Sequence, residues 1–185
     1  LTVDAANKEV SSGSQVSYAF TITNDGNNGD KYSITSSVSA TPSTGWQVTL
    51  SKTTTSNIGS GNTDTFSVNV RAPTNATSTS YCYATIQIKS QVDPTNSTDS
   101  VLLSTLIKRS YSVSISSPGI NNIDPGDTTS YTFDVKNEGN AEDGYSLEAI
   151  SVPTGWSASI DFSTGKFQPG NTKSATMTVT SPTDA

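Results

Sequence analysis

Apolar and polar residues alternate along this chain with a period of two. Val16, Tyr18, Phe20 and Ile22 fall on one side of a strand, and Ser17, Ala19, Thr21 and Thr23 on the other. Such alternation marks a strand with one buried face, because successive side chains of a pleated backbone point to opposite sides. The rhythm returns in Trp46, Val48 and Leu50, in Phe66, Val68 and Val70, in Cys82, Ala84, Ile86 and Ile88, in Tyr111, Val113 and Ile115, and in Tyr131, Phe133 and Val135. It predicts seven strands in the first part of the chain, near 2–4, 15–23, 31–38, 46–51, 63–71, 81–90 and 100–108. Gly, Asn and Pro clusters stand between them as turns. Register is strongly specified, since a slip of one residue would expose every aromatic.

The pattern occurs twice. The order Gly13, Tyr18, Phe20, Asn24, Gly26, Asn27, Asp30, Tyr32, Gly45, Trp46 is matched by Gly126, Tyr131, Phe133, Asn137, Gly139, Asn140, Asp143, Tyr145, Gly155, Trp156. The match resumes at Gly61-Asn62-Thr63 against Gly170-Asn171-Thr172 and ends at Pro73-Thr74 against Pro182-Thr183. A spacing of about 110 residues is that of one immunoglobulin-like sandwich. The fold expected is therefore all-β: two tandem immunoglobulin-like β-sandwiches, at 1–109 and 110–185. The second holds the first five strands only and lacks its last two. Its open face is expected to be covered by further chain, or by a strand donated from a neighbouring molecule. Ile107 leads through Lys108-Arg109-Ser110 directly into Tyr111, a junction short enough to predict a stiff rod.

Composition supports the all-β reading and narrows the chemistry. Ser and Thr make up about a third of the chain, hydrophobic residues 31% and charged residues 14%, which suits solvated strand faces. A net charge of −6 argues against nucleic acid or an anionic membrane surface, both of which need clustered Lys and Arg. With no histidine, the commonest general base and metal ligand is missing, and the one cysteine, Cys82, excludes an intramolecular disulfide. No run of eighteen apolar residues predicts a membrane span.

The candidate sites each have a plain structural reading. The loops 24–30 and 137–143 carry the closely spaced oxygens that calcium needs, yet Asn-x-Gly-Asn equally suits a tight turn. Asp30 and Asp143 have no apolar setting to raise a pKa for acid–base work. No serine sits in a Gly-x-Ser-x-Gly elbow. Trp46 and Trp156 begin alternating strands and are expected in the core rather than as sugar platforms. Cys82 reads as a buried thiol. Tyr81 and Tyr83 fall on the opposite, polar face and are expected to be partly exposed, as in a contact between subunits. The sequons at Asn75 and Asn96 are the candidate glycosylation sites. No catalytic, cofactor-binding or metal residue is assigned, and no cofactor.

The residues Tyr131, Phe133, Val135, Asn137, Gly139, Asn140, Asp143, Tyr145, Gly155, Trp156, Pro169 and Gly170 resemble the CARDB-type and related immunoglobulin-like repeats of archaeal and bacterial surface proteins and secreted glycosidases. The resemblance implies an extracellular or cell-surface location and no enzymatic activity of the chain itself. The expected role is a structural module of a surface filament or S-layer, self-associating with neighbouring subunits or further repeats. The alternative is an accessory or carbohydrate-binding spacer of a larger secreted glycosidase or adhesin, in contact with a surface polysaccharide.

Overall fold

The alternating segments become strands in both repeats. The computed structural model describes residues 1–95, 97–163 and 165–183. It is all-β, with no helix among the described residues, and divides into two units, Leu1–Arg109 and Ser110–Ala185.

The first unit has eight strands: β1 (Thr2–Val3), β2 (Asn7–Val10), β3 (Gln15–Thr23), β4 (Tyr32–Thr41), β5 (Gln47–Leu50), β6 (Thr63–Arg71), β7 (Tyr81–Ser90) and β8 (Thr98–Ile107). They form two four-stranded sheets, ordered β1-β3-β6-β5 and β2-β8-β7-β4. Their inward residues meet in one core. Tyr18, Phe20, Ile22, Val68 and Val70 come from the first sheet, and Ile34, Cys82, Ala84, Ile86 and Leu103 from the second. Burial of each large apolar side chain contributes roughly 1.5–3 kcal/mol. Phe20 and Phe66, cross-strand partners, stack with centroids 4.8 Å apart. The Tyr18 hydroxyl is a polar link between the sheets, 2.8 Å from Thr105 Oγ1 and donating to Ser104 O at 3.1 Å.

Strand β2 is the one the periodicity did not mark. It is four residues long with two charges, and it pairs parallel with β8, Asn7 opposite Ser104 and Val10 opposite Ile107. Only Val10 is buried. The Lys8 ammonium lies 4.9 Å from the centroid of the Tyr18 ring and is paired to Asp4, so its charge stays neutralised while its stem covers the core.

The second unit holds β9 (Val113–Ile115), β10 (Thr128–Asn137), β11 (Ser157–Asp161) and β12 (Thr172–Thr180), in one sheet ordered β11-β12-β10-β9. The fifth strand expected here, over the counterpart of β4, does not form. In the first unit β4 has its ladder with β7, and among the described residues the second unit has no counterpart of β7. Backbone groups without a ladder partner do not make a strand. Tyr145 and Leu147 nevertheless pack on Phe133, Val135, Phe167 and Ala175, with the Tyr145 ring edge-on to Phe167 at 5.4 Å. Coverage is where the repeats differ. Tyr18, Val68 and Val70 are 0% exposed, whereas Tyr131, Met177 and Val179 at the matching positions are only half-buried.

Both units are locked at one end by the same buried amide. Asn24 Nδ2 donates to Asn28 O at 2.8 Å and Ile58 O at 2.7 Å, while its Oδ1 accepts from Gly26 N at 3.0 Å and the Tyr32 hydroxyl at 3.1 Å. Asn137 repeats all four bonds, to Ala141 O (2.9 Å), Phe167 O (3.0 Å), Gly139 N (2.9 Å) and the Tyr145 hydroxyl (3.0 Å). Each of these asparagines is also bonded through its backbone, Asn24 N to Asn62 O and Gly61 N to Asn24 O, Asn137 N to Asn171 O and Gly170 N to Asn137 O. At the opposite end Gly45 and Gly155 take φ of +89° and +84°. A Cβ there would stand 3.1 Å from Pro73 and 3.2 Å from Pro182, so glycine is needed for both conformation and space.

Asn24→Ala orphans two carbonyls, an amide and a hydroxyl in a buried setting. It is expected to lower the unfolding free energy of the first unit by about 3 kcal/mol or more. Urea titration in a Trp156→Phe background, where Trp46 reports on this unit, measures the effect. A loss below about 1 kcal/mol would mean that water replaces the amide at little cost.

Candidate functional site

The loop 24–30 runs from the end of β3 to the start of β4 and walls a depression of about 500 Å3 at one end of the first unit, with Tyr32, Ile88, Ser90 and Asp99 on its other sides. It is the place where a cation reading could have held. Some of its oxygens are used within the protein. The side-chain oxygen of Asn24 faces inward to the clamp, and Asp30 Oδ1 accepts the amide of Lys31 at 2.6 Å. In the second unit Asp143 Oδ1 accepts the amide of Gly144 at 2.8 Å, and Glu142 accepts from Gln168 at 3.1 Å. Asp30 and Asp143 also make paired backbone bridges to Ile58 and Phe167. Among the described residues no three His, Cys, Asp or Glu side chains converge to hold a metal ion. The loops are turns fixed by side-chain acceptors.

Three carboxyls are engaged by lysine side chains. Asp4, Asp64 and Glu138 are each held below the usual carboxylate range by a hydrogen-bonded lysine ammonium, that of Lys8, Lys52 and Lys136 respectively. The Lys52 ammonium reaches both Asp64 oxygens, at 2.9 and 3.0 Å. Carboxyls held this way stay ionised at neutral pH and donate no proton.

The two tryptophans are partly buried. Trp46 is half-buried against the core, with Nε1 donating to Thr41 O at 3.3 Å, and Trp156 is half-buried at the matching place in the second unit. Cys82 is fully buried, and burial pushes its thiol up to about 11. Tyr81 and Tyr83, by strand parity, lie on the outer side of the same strand. Their rings are 4.8 Å apart and tilted by 37°, with Tyr83 exposed. Asn75 is exposed in the turn between β6 and β7, close to Thr77, whose hydroxyl is 3.0 Å from that of Thr79. Asn96 lies outside the described residues.

Two features escaped sequence reasoning. Asn24 and Asn137 looked like turn residues and are buried clamps; the signal was their identical place in both repeats, two residues before a glycine and eight before a tyrosine. The other is the contact of Tyr18 with Thr105, a hydroxyl pair across two sheets that no local pattern marks.

Comparison with known proteins bears on the second repeat. Residues 123–185 match the family described as the NPCBM-associated, NEW3 domain of alpha-galactosidase. The match supports a β-sandwich domain of the kind found in glycosidases, and does not single out the CARDB type. No curated protein matches the chain. Among solved structures, a chaperone–tip adhesin complex of CFA/I fimbriae biogenesis is similar at a TM-score of 0.39 and 11% identity, over 94% of this chain and 83% of that one. The class 5 fimbriae chaperone CfaA gives 0.36 and 10%, over 93% and 83%. The YadV chaperone gives 0.38 and 11%, over 95% and 84%.

Cys82 offers a check on the packing of the first unit. Its pKa is raised above the ordinary 9.0, so the folded state holds the proton more tightly than the unfolded state does. Stability from this group is full below pH 9 and is lost as pH rises toward 11. A thiol-specific chromophoric reagent at pH 8 should leave the native protein unlabelled and react stoichiometrically in denaturant. Rapid native labelling would show that the core opens around β7.

Proposed function

We propose that this chain is a non-catalytic accessory or spacer portion of a larger secreted glycosidase. The observation that carries the reading is the family match over 123–185, a domain described from alpha-galactosidase. The described site chemistry agrees with it: turns where a cation loop was possible, ionised carboxylates, a buried thiol. On this reading the enzyme to which the chain belongs acts on galactosidic linkages outside the cell. The two β-sandwich units carry no step of the reaction.

One observation favours a second reading, a repeat-built subunit of a surface filament or S-layer. The inner face of the second unit is less covered than its counterpart, with Tyr131, Met177 and Val179 half-buried. Residues 145–150 are free to accept a ladder. A strand from a neighbouring copy could pair there and cover that face.

Peptide mapping of the native protein together with negative-stain electron microscopy separates the two. Peptides of a catalytic domain in the same polypeptide, with dispersed particles, are the expected result. Regular filaments or sheets would favour the second reading and overturn the first. In the same map, Asn75 is expected to carry an N-glycan, seen as added mass on the tryptic peptide 72–89 and lost in Asn75→Gln. An unmodified peptide from native material would remove the site.

A further inference from the structure

The outer face of the β2-β8-β7-β4 sheet holds chemistry that the fold does not use. Along β7 the inward residues Cys82, Ala84, Ile86 and Ile88 are buried, while Tyr81, Tyr83, Thr85 and Gln87 point out. Register sets Leu106 beside Tyr81, Ser104 beside Tyr83 and Leu102 beside Thr85. On the other flank Thr41, Ser39, Ser37 and Thr35 face the same four β7 residues in order. Tyr83 is 38% and Leu102 57% exposed. The aromatic pair thus ends a face that continues through hydroxyl and amide groups, with Leu102 exposed among them beside Thr85.

Next to the pair along β7 lies a depression of about 180 Å3, lined by Thr35, Ser36, Ser37, Thr85, Gln87 and Ser100. Among the described residues, no protein group is bonded to the side chains of Thr35, Ser37, Thr85 or Gln87, so their donors and acceptors stand open to a ligand. Charge is confined to the margins of this face: Glu9 beside Leu106 at one end and Lys89 on β7 at the other. In a chain of net charge −6, such a neutral stretch matches an uncharged ligand, which brings no ion to desolvate. Flat aromatic area beside convergent hydroxyl and amide groups fits a pyranose, which has an apolar C–H face and a rim of hydroxyls. The span from Tyr83 to Gln87 is four residues of strand, about 13 Å, longer than one sugar ring.

We propose that this face binds a neutral oligosaccharide, one ring stacked on Tyr83 and the next held over the depression by Thr85 and Gln87. The proposal rests on the accessory-module reading and names the site through which such a module would hold polysaccharide near its enzyme.

The full chain can be run in native gels containing soluble galactomannan, soluble xylan or, as the charged comparison, polygalacturonate. Retardation by at least one neutral polymer and none by polygalacturonate is expected. Tyr83→Ala and Gln87→Ala should each weaken it at least tenfold, with the melting temperature unchanged because both side chains lie on the outer face. Retardation that survives both variants would overturn the platform and leave the accessory reading standing. No retardation by either neutral polymer would overturn the platform too. A dimer of the unmodified protein in sedimentation that Tyr83→Ala abolishes would reassign the face to protein contact and overturn the proposal. Failure of the accessory reading itself shows separately, as the lack of catalytic-domain peptides in the native map.

Discussion

A single buried carboxamide organises the end of each unit. Asn24 and Asn137 are 2% and 0% exposed, and each spends both donors and its acceptor oxygen on the protein. The amide reaches a loop two to four residues ahead, a tyrosine hydroxyl eight residues ahead, and a carbonyl about thirty residues away on the segment leading to β6 or β12. One side chain thereby ties together three stretches of chain that would otherwise leave polar groups unsatisfied at the core's edge. Such a network is favourable only when complete, because low-dielectric surroundings strengthen each bond and equally penalise a missing one. In a chain with 31% hydrophobic residues and no disulfide, this is a large share of what specifies the fold.

The two repeats form a natural experiment in what an alternating sequence can accomplish by itself. Their turn glycines share a backbone geometry: Gly13 and Gly126 at +72° and +81°, Gly61 and Gly170 at +70° and +77°. Their clamps agree to within 0.3 Å. They part at the segment following the clamp, which is the strand β4 in one case and an unladdered stretch at 145–150 in the other. The same local pattern, Tyr-Ser-aliphatic, stands at both places. Strand formation is therefore decided by whether a neighbour supplies the ladder, and the propensity of the segment is secondary.

That dependence explains what could be read from the residues and what could not. The long strands were legible because nine or ten residues of strict alternation leave one arrangement that buries the aromatics, as in β3 and β7. The burial of Cys82 and the outward position of Tyr81 and Tyr83 followed from parity alone. Strand β2 was invisible because its place comes from a parallel partner nearly a hundred residues away, and Asn7-Lys8-Glu9 has no apolar rhythm. The clamp was taken for turn chemistry since its burial depends on Ile58 and Phe167 arriving from a distant loop. The hydroxyl-lined depression needed the cross-strand register of three strands, which no single segment encodes.

The parallel pairing of β2 with β8 also sets how the first unit would answer a pull. Tension applied at residues 1 and 109 first meets the two-residue ladder of β1 with β3, Thr2 opposite Thr21 and Val3 opposite Phe20. Once that has given way, β2 and β8 are drawn in opposite directions along their own length. Their bonds, among them Ser104 N to Ala6 O at 2.8 Å and Lys108 N to Val10 O at 3.0 Å, are then loaded side by side and must yield together. An antiparallel pair held at adjacent ends would instead peel one bond at a time. Resistance to force is governed by the rate of this opening step rather than by equilibrium stability, so a thinly cored domain can still be a strong link in a strained tether.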